Sequence, residues 1–503
     1  FFKTNCFVDR NAITITVAAA AVSPWLMNGS DVGGHGLFLE YFTHSELTWG
    51  PLIAALVAAQ NGQLKQSSAF AGIVFLINAF VGIWLAFVIS ITVFFNNEQR
   101  KDWRLILQSS SWFLLICLPV VLWIVISIKD QTSPPAFSYI EYIRAYYPGH
   151  FLIESTAGYA LRNFGIILYC GLTSAYLFRH QRFWMTTIGA LLTLLLIGCA
   201  LPYIINNRFV FNLHLIRSAG VLQFVAIILS LSASVSALFD VANPRSIRIV
   251  ATIGAMSFVT FNPEPVYLLS GAASLSLLAF YNFQNTNALQ STAFRRFSLK
   301  HLEYAAVSIA AFSIVTDFIY IGASLGTIVR WIAIFGLIVF LIKCESSKLF
   351  TSCFLVVFIS VILLICYQKN HGRDTGSMQK STDKLTNRLE MMNWVKNSHL
   401  LGPFLFPVEG SNGRGFDEFQ LLTQKTVWVD WKQGAAVMWD PSFHSQWMPR
   451  YSEVKSLKTE PEFSDYAKRN RIPYLVLPSS IGECNPTFST LFKNPEFSIC
   501  AIR

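Results

Sequence analysis

Residues 68–95 read SAFAGIVFLINAFVGIWLAFVISITVFF, without a single charged side chain. A helix crossing a bilayer needs about 20 apolar residues, so this run is too long for one untilted span. Asn78 and Gly82 stand near its middle, and they predict two half-helices that meet there. Such broken helices persist only where protein buries their loose backbone groups. The run therefore belongs to a bundle, and the fold class is mainly α: a polytopic transmembrane helix bundle.

The rest of the chain agrees with that reading. Further apolar runs occupy 12–28, 44–61, 110–128, 161–178, 184–204, 218–240, 246–260, 266–281, 304–325, 327–343 and 349–366. They predict about 10–13 membrane segments, some short or broken, within residues 1–366. Of the 503 residues, 53% are hydrophobic and 13% charged, against roughly 25% charged in a soluble domain. The formal net charge of +10 is then placed in cytoplasmic loops and beside anionic headgroups. Membrane lipids are the expected partners, and nucleic acid is not. The first residues, FFKTNCFVDR, lack a methionine, which leaves a processed terminus or an absent upstream segment as alternatives.

The loops give an orientation. NNEQRKDWR, FRHQRFW, NPRSIR, FRRFSLKH and the pair Lys343 and Lys348 form a basic set. With that set in the cytoplasm, every span from residue 110 onward alternates and the last delivers residue 367 outside. Residues 367–383 read as a polar linker, and 384–503 as a small extracytoplasmic α/β domain. In that domain DKLTNRLEMMNWVKN places Leu385, Leu389, Met392 and Val395 at helical spacing. PEFSDYAKRN reads as a helix carrying Phe463 and Tyr466, while GPFLFP, TVWVDW and IPYLVLP read as strands. Cys484 and Cys500 are the only cysteines close together there, and a disulfide between them is one reading. The other cysteines show no zinc-type pairing, and Cys117, Cys170, Cys199 and Cys353 read as small buried hydrophobes.

Several polar groups fall on the extracytoplasmic side. SDVGGHGLFLEYFTHSELTW carries Asp31, His35, Glu40, His44 and Glu46. Carboxylates and histidines so close together suit a general base or a divalent metal, with His35 and His44 as ligands. An interfacial loop with Tyr41 and Trp49 at headgroup depth is the plainer alternative. The 129–160 loop offers Glu141, Arg144, Tyr146, Tyr147, His150 and Glu154; its arginine, two tyrosines and histidine would grip a phosphate and a sugar ring, since arginine forks onto phosphate oxygens. Interfacial anchoring accounts for its tyrosines equally well. His214, Arg217 and Glu264 stand at outer ends of spans. Asp240 and Asp317 lie in or at the edges of apolar runs, where carboxylates are costly.

In the tail, Arg414, Lys432 and Arg450 accompany Trp428 and Trp431 within or beside KTVWVDWKQGAAVMWDPSFHSQWMPRY. Alternation in VWVDW would put Val427, Val429 and Trp431 on one strand face, with Trp428 and Asp430 on the other. Such a surface suits carbohydrate, and equally a docking face.

LTWGPLIAALVAAQ, SSAFAGIVFLINAFVGIW, YYPGHFL, FDEFQLLTQKTVWVDWK and HSQWMPRY together resemble the GT-C superfamily of polytopic glycosyltransferases, in particular uncharacterised bacterial relatives. The resemblance implies a polyprenyl-phosphate-linked sugar as donor. It also implies an acidic residue in the first extracytoplasmic loop that activates the acceptor or positions a metal. Asp31 matches that position and Glu40 is the second choice. The expected function is a glycosyltransferase-like membrane protein of a bacterial inner membrane, acting on the extracytoplasmic face. Arg144, His150 and Arg217 would contact the donor phosphate and the tail tryptophans, Trp428 and Trp431 among them, would meet the acceptor glycan; Tyr147, His214, Glu264, Arg414, Lys432 and Arg450 complete the expected substrate-binding residues. Two alternatives stand beside it: a non-catalytic scaffold subunit bound to other membrane proteins, and a transporter, for which discontinuous helices would surround the cargo.

Overall fold

A computed structural model describes residues 10–21, 23–27, 32–33, 46–96, 100–128, 137–178, 180–240, 242–259, 265–286, 304, 308, 375–408 and 419–502. It divides into two compact units: residues 1–127 with 139–366, and residues 128–138 with 367–503.

The first unit is helical. α1 (Arg10–Ala21), the single turn α2 (Pro24–Met27) and α3 (Trp49–Gln60) open it. The run quoted above then divides as its length and Asn78 predict, into α4 (Leu64–Ile77) and α5 (Ala79–Phe95). Asn78 performs both terminations. Its extended backbone (φ −147°) ends α4, and its side-chain oxygen accepts hydrogen bonds from the amides of Phe80 and Val81. Those are two of the donors a helix start leaves open. Gly82 lets the halves close up: a Cβ there would fall 2.4 Å from the Phe75 Cα.

Five longer helices and two short ones follow: α6 (Trp103–Ile128), α7 (Tyr139–Tyr146), α8 (Gly158–Leu177), α9 (Gln181–Ile204), α10 (Arg208–Asn212), α11 (Ser218–Phe239) and α12 (Arg245–Ser257), with α13 (Pro265–Thr286) completing the series. Among the described residues, four helical stretches are long and apolar enough to cross a membrane: Trp103–Ile126, Gln181–Ile204, Phe209–Phe239 and Pro265–Phe283.

α11 is the axis of this unit. It packs on α1, α8, α9 and α12, and nearly all of it is buried. Small residues make that closeness attainable, as between lipid-embedded helices generally. Gly171 of α8 lies so near α11 that a Cβ would fall 2.5 Å from that of Ala226, and Gly254 of α12 meets Ser234. The buried hydroxyl of Ser230 donates back to the Ala226 carbonyl (2.7 Å), and the Gln223 amide donates to the Trp25 carbonyl (2.7 Å). α6 is the opposite case, with most of its surface outside the packing.

The second unit carries α14 (Thr375–Asn397), α15 (Phe419–Thr423), α16 (His444–Ser456) and α17 (Glu460–Arg469) with a four-stranded sheet. Its strands are β1 (Phe404–Leu405), β2 (Tyr474–Pro478), β3 (Ser489–Lys493) and β4 (Phe497–Ala501), in spatial order β1-β2-β4-β3. β1 and β2 are parallel; the other pairings are antiparallel. Met391, Met392 and Val395 of α14 pack with Phe404, Phe419, Val476 and Ile499 in its core. Cys484 and Cys500 form a disulfide that ties the β2–β3 connection to β4. Phe137 joins this unit through an edge contact with His444, ring centroids 5.3 Å apart.

Three local readings change. α14 starts at Thr375, inside the stretch whose polarity reads as a linker, and Leu385 and Leu389 are exposed. The buried face is set by Met391, Met392 and Val395, which pack in the core of this unit. TVWVDW forms one parallel bridge, Val427 to Phe404, and no strand. The Asp430 carboxylate accepts from the Gln433 amide (2.6 Å) and turns the chain into the 3-10 helix Lys432–Met438. A short polar side chain that captures a backbone amide competes with strand pairing in this way.

Candidate functional site

One end of the helical unit gathers several of the residues singled out by sequence. α8 and α9 pack together through a three-residue connection, and α11 and α12 through a connection of similar length. Helices so joined run antiparallel. The start of α8, the end of α9 and the start of α11 therefore share one end. Arg182, Arg245 and Arg248 lie about a helix length away, roughly 35 Å along α9.

At the shared end, Arg144 of α7 donates from Nε to Glu154 Oε1 at 2.7 Å, and the Tyr203 hydroxyl donates to Glu154 Oε2 at 3.1 Å. Arg144 and Glu154 keep about half of their side-chain surface in the open. α7 is placed by Asn206, whose side-chain oxygen accepts the Tyr139 amide, and by the Pro148–His150 turn that follows it. The Arg144 hydrogen bond holds the Glu154 carboxyl below the ordinary carboxylate range, with a smaller contribution from Tyr203. The pair's contribution is thus present above the ordinary carboxylate pKa and is lost as pH falls through the lowered one. Tyr142 and Tyr147 are buried beside Tyr146. Burial pushes the Tyr142 hydroxyl up from its ordinary value.

His214 sits between the rings of Phe80 and Phe151, at 4.8 and 4.5 Å. Its backbone is left-handed (φ 48°) because the chain reverses there, between α10 and the 3-10 turn Leu215–Arg217. For a non-glycine residue that conformation is uncommon and marks a constrained position. Its Nδ1 is sealed from solvent and has no hydrogen-bond partner among the described residues. The turn is fixed by Trp84, whose indole donates to the Leu213 carbonyl (3.2 Å), and by Gly198 of α9. His150 and Arg217 both lie within electrostatic reach of His214. The crevice between Phe151, Gly198, Phe211 and His214 holds only about 10 Å³, room for one water. A sugar does not fit there; Arg144 and Glu154, by contrast, stand on an open face.

Asp31, His35, Glu40, His44, Glu264, Asp317 and Arg414 lie outside the described residues. Gly33 (φ +78°), two residues after Asp31 in sequence, is described. A Cβ on it would fall 2.7 Å from the Ile216 carbonyl and 2.9 Å from the Arg217 Cα. Gly33 therefore lies against the Leu215–Arg217 turn. Among the described residues, no group of three His, Cys, Asp or Glu is placed to hold a metal ion.

Two participants escape a reading of loops. Tyr203 closes an apolar helix and looks like an interfacial anchor, and Asn206 looks like linker. Their only signal in sequence is that YIINN ends a span opposite the Arg144 loop. Asp240 is accounted for locally, its carboxylate accepting from the Ala242 amide at 3.0 Å.

The tryptophans of the second unit make structural contacts within it. Trp428 donates from its indole to the Tyr466 hydroxyl (3.1 Å), and the Arg450 guanidinium lies 4.3 Å from its ring centroid. Trp431 begins the 3-10 helix in which Lys432 is exposed. No family model, curated protein or solved structure matches this chain.

Proposed function

We propose that the protein is a membrane glycosyltransferase that uses a polyprenyl-phosphate-linked sugar. The contact of Gly33 with Ile216 and Arg217 carries the reading: Gly33 follows Asp31 by two residues in sequence, and the turn it meets stands at the end of the unit that holds Arg144, His150 and His214. The acceptor hydroxyl attacks the anomeric carbon and gives its proton to Asp31. The bond from that carbon to the phosphate oxygen breaks, and its electron pair leaves with the phosphate. Negative charge grows on that oxygen, and a guanidinium already in place stabilises it without reorganisation. Arg144 exchanges Glu154 for the phosphate in this scheme.

Replacing Arg144 with alanine should lower kcat/KM for transfer from a nanodisc-embedded polyprenyl-phosphate hexose by about 100-fold, as the loss of one charge-stabilising donor does. Arg144→Lys should recover only part, because an ammonium lacks the two-pronged geometry. Wild-type rates in Arg144→Ala would sink the assignment.

The reading places this face, and the C-terminal unit, outside a bacterial inner membrane. An impermeant thiol reagent should label Ser381→Cys in intact spheroplasts of a variant stripped of its other cysteines. Labelling that needs the membrane opened would reverse the orientation.

A second reading, a non-catalytic subunit, is favoured by the exposed length of α6. It would be preferred if wild-type protein turned over no polyprenyl-phosphate sugar and co-purified with a fixed membrane partner.

A further inference from the structure

The C-terminal unit contains a second recess, separate from the Arg144 face. It encloses about 250 Å³ and opens at the carboxyl ends of the parallel strands β1 and β2. Pro407 and Val408 continue from β1, and Pro478, Ser480 and Ile481 from β2. In open α/β sheets the chain diverges beyond the carboxyl ends of parallel strands, and ligands settle in the crevice that this leaves.

The lining divides by chemistry. Val408, Val454 and Phe463 are buried and form an apolar floor, while Lys455, Lys458 and Ser480 are exposed at the rim. Lys458 donates to the Lys455 carbonyl (3.4 Å), so its charge offsets the carbonyl end of α16. The Glu462 carboxylate is already committed: it accepts the backbone amides of Lys458 (2.7 Å) and Thr459 (3.0 Å) and thereby fixes the wall between α16 and α17. On the other side, Gly482 (φ +147°) passes close to Glu460, and the Cys484–Cys500 disulfide anchors the lip two residues later.

We infer that this recess binds a phosphorylated small molecule of about monosaccharide size, its phosphate between Lys455 and Lys458 and its body on Val408, Val454 and Phe463. Drug-sized ligands occupy about 300–1,000 Å³, so the occupant is smaller than those. Lysine serves phosphate as a point charge, and the serine hydroxyl adds a neutral donor. The inference stands on the C-terminal unit alone and does not rest on the transferase reading.

The test uses the full chain in phosphatidylcholine nanodiscs, with glucose 1-phosphate as the calorimetric probe. Saturable binding is expected for glucose 1-phosphate and none for glucose. Joint replacement Lys455→Gln and Lys458→Gln should weaken the binding about tenfold, in keeping with two exposed charge contacts. Both side chains are exposed, so the variant should fold. Ser480→Trp, which fills the mouth and leaves the charges, should weaken binding as well. Phosphatidic acid added to the discs separates two sources of the same chemistry. Competition in the wild type would make a lipid headgroup the occupant; undisturbed binding would make it the soluble sugar phosphate. Absence of saturable binding in either disc, or unchanged affinity in both variants, would overturn the inference. Each readout is binding, so the result is independent of whether transfer at Arg144 is found.

Discussion

Trp447→Ala is expected to unfold the C-terminal unit, at a cost of about 3–5 kcal/mol. Trp447 is 1% exposed, its indole donates to the Asp430 carbonyl at 2.9 Å, and its ring stacks on Tyr451 with centroids 4.9 Å apart. Truncation leaves a large cavity and removes the indole's hydrogen bond to the carbonyl of Asp430, the residue that starts the turn into the 3-10 helix. A domain is stable by about 5–15 kcal/mol, so this loss takes a large share. Trp447→Phe keeps most of the packing and should lose only about 1–2 kcal/mol through the missing hydrogen bond. Trp428→Ala should be milder than Trp447→Ala, because Trp428 is only half-buried. Reduction of the Cys484–Cys500 disulfide in native buffer, followed by thiol alkylation, reports the opening of this unit. Protection of Trp447→Ala equal to wild type would show that the residue does not hold the unit together.

That ranking is not visible in the aromatic-rich stretch 425–451 on sequence alone. Four tryptophans beside charged residues suit a carbohydrate platform and equally a docking face, since composition says nothing about which rings face inward. In the fold Trp428 reaches Tyr466 and Arg450, and Trp447 reaches Asp430 and Tyr451.

What was legible depends on how local its cause is. The break at Asn78 follows from the run's length and one side chain able to cap, both visible within a few residues. The helices α8, α9 and α11 coincide closely with the apolar runs 161–178, 184–204 and 218–240, because hydropathy marks their buried or lipid-facing length. α6 begins at Trp103, well before its apolar run at 110, since polar residues extend a helix without leaving a hydropathy signal. The Cys484–Cys500 bridge was open to reading because no other cysteine lies near either in the tail. The candidate site was less legible. Arg144, His150 and His214 were visible as polar groups at span ends, but Tyr203 was hidden in an apolar helix. The left-handed turn at His214 depends on contacts with Trp84, Gly198 and Gly33, which lie far off in sequence.

Gly198→Ala should therefore be the most damaging single-methyl change near that site. The added Cβ would fall 2.5 Å from the Ile216 amide nitrogen and 2.6 Å from the Leu215 carbonyl carbon. Both are backbone atoms, so no side chain can rotate aside, and the turn itself must move off α9. Overpacking of this kind costs about 1–3 kcal/mol, more where backbone must shift. The same turn carries Arg217 and follows His214, and a displacement of about 1 Å at a reacting centre is enough to cost about 100-fold in rate. Gly189 supplies the control: it lies in the same helix, and a Cβ there meets nothing within 4 Å. Gly189→Ala should leave the thermal midpoint of the detergent-solubilised protein unchanged or slightly raised, since alanine is the better helix former. Gly198→Ala should lower that midpoint by several degrees and, under the proposed transferase reading, lower transfer by about 100-fold as well. A normal midpoint with normal transfer in Gly198→Ala would mean that the turn is not held against α9 as described, and the placement of His214 and Arg217 would fall with it. A lowered midpoint with transfer intact would keep the packing and detach it from function, leaving the Arg144 face as the only part of the site to defend.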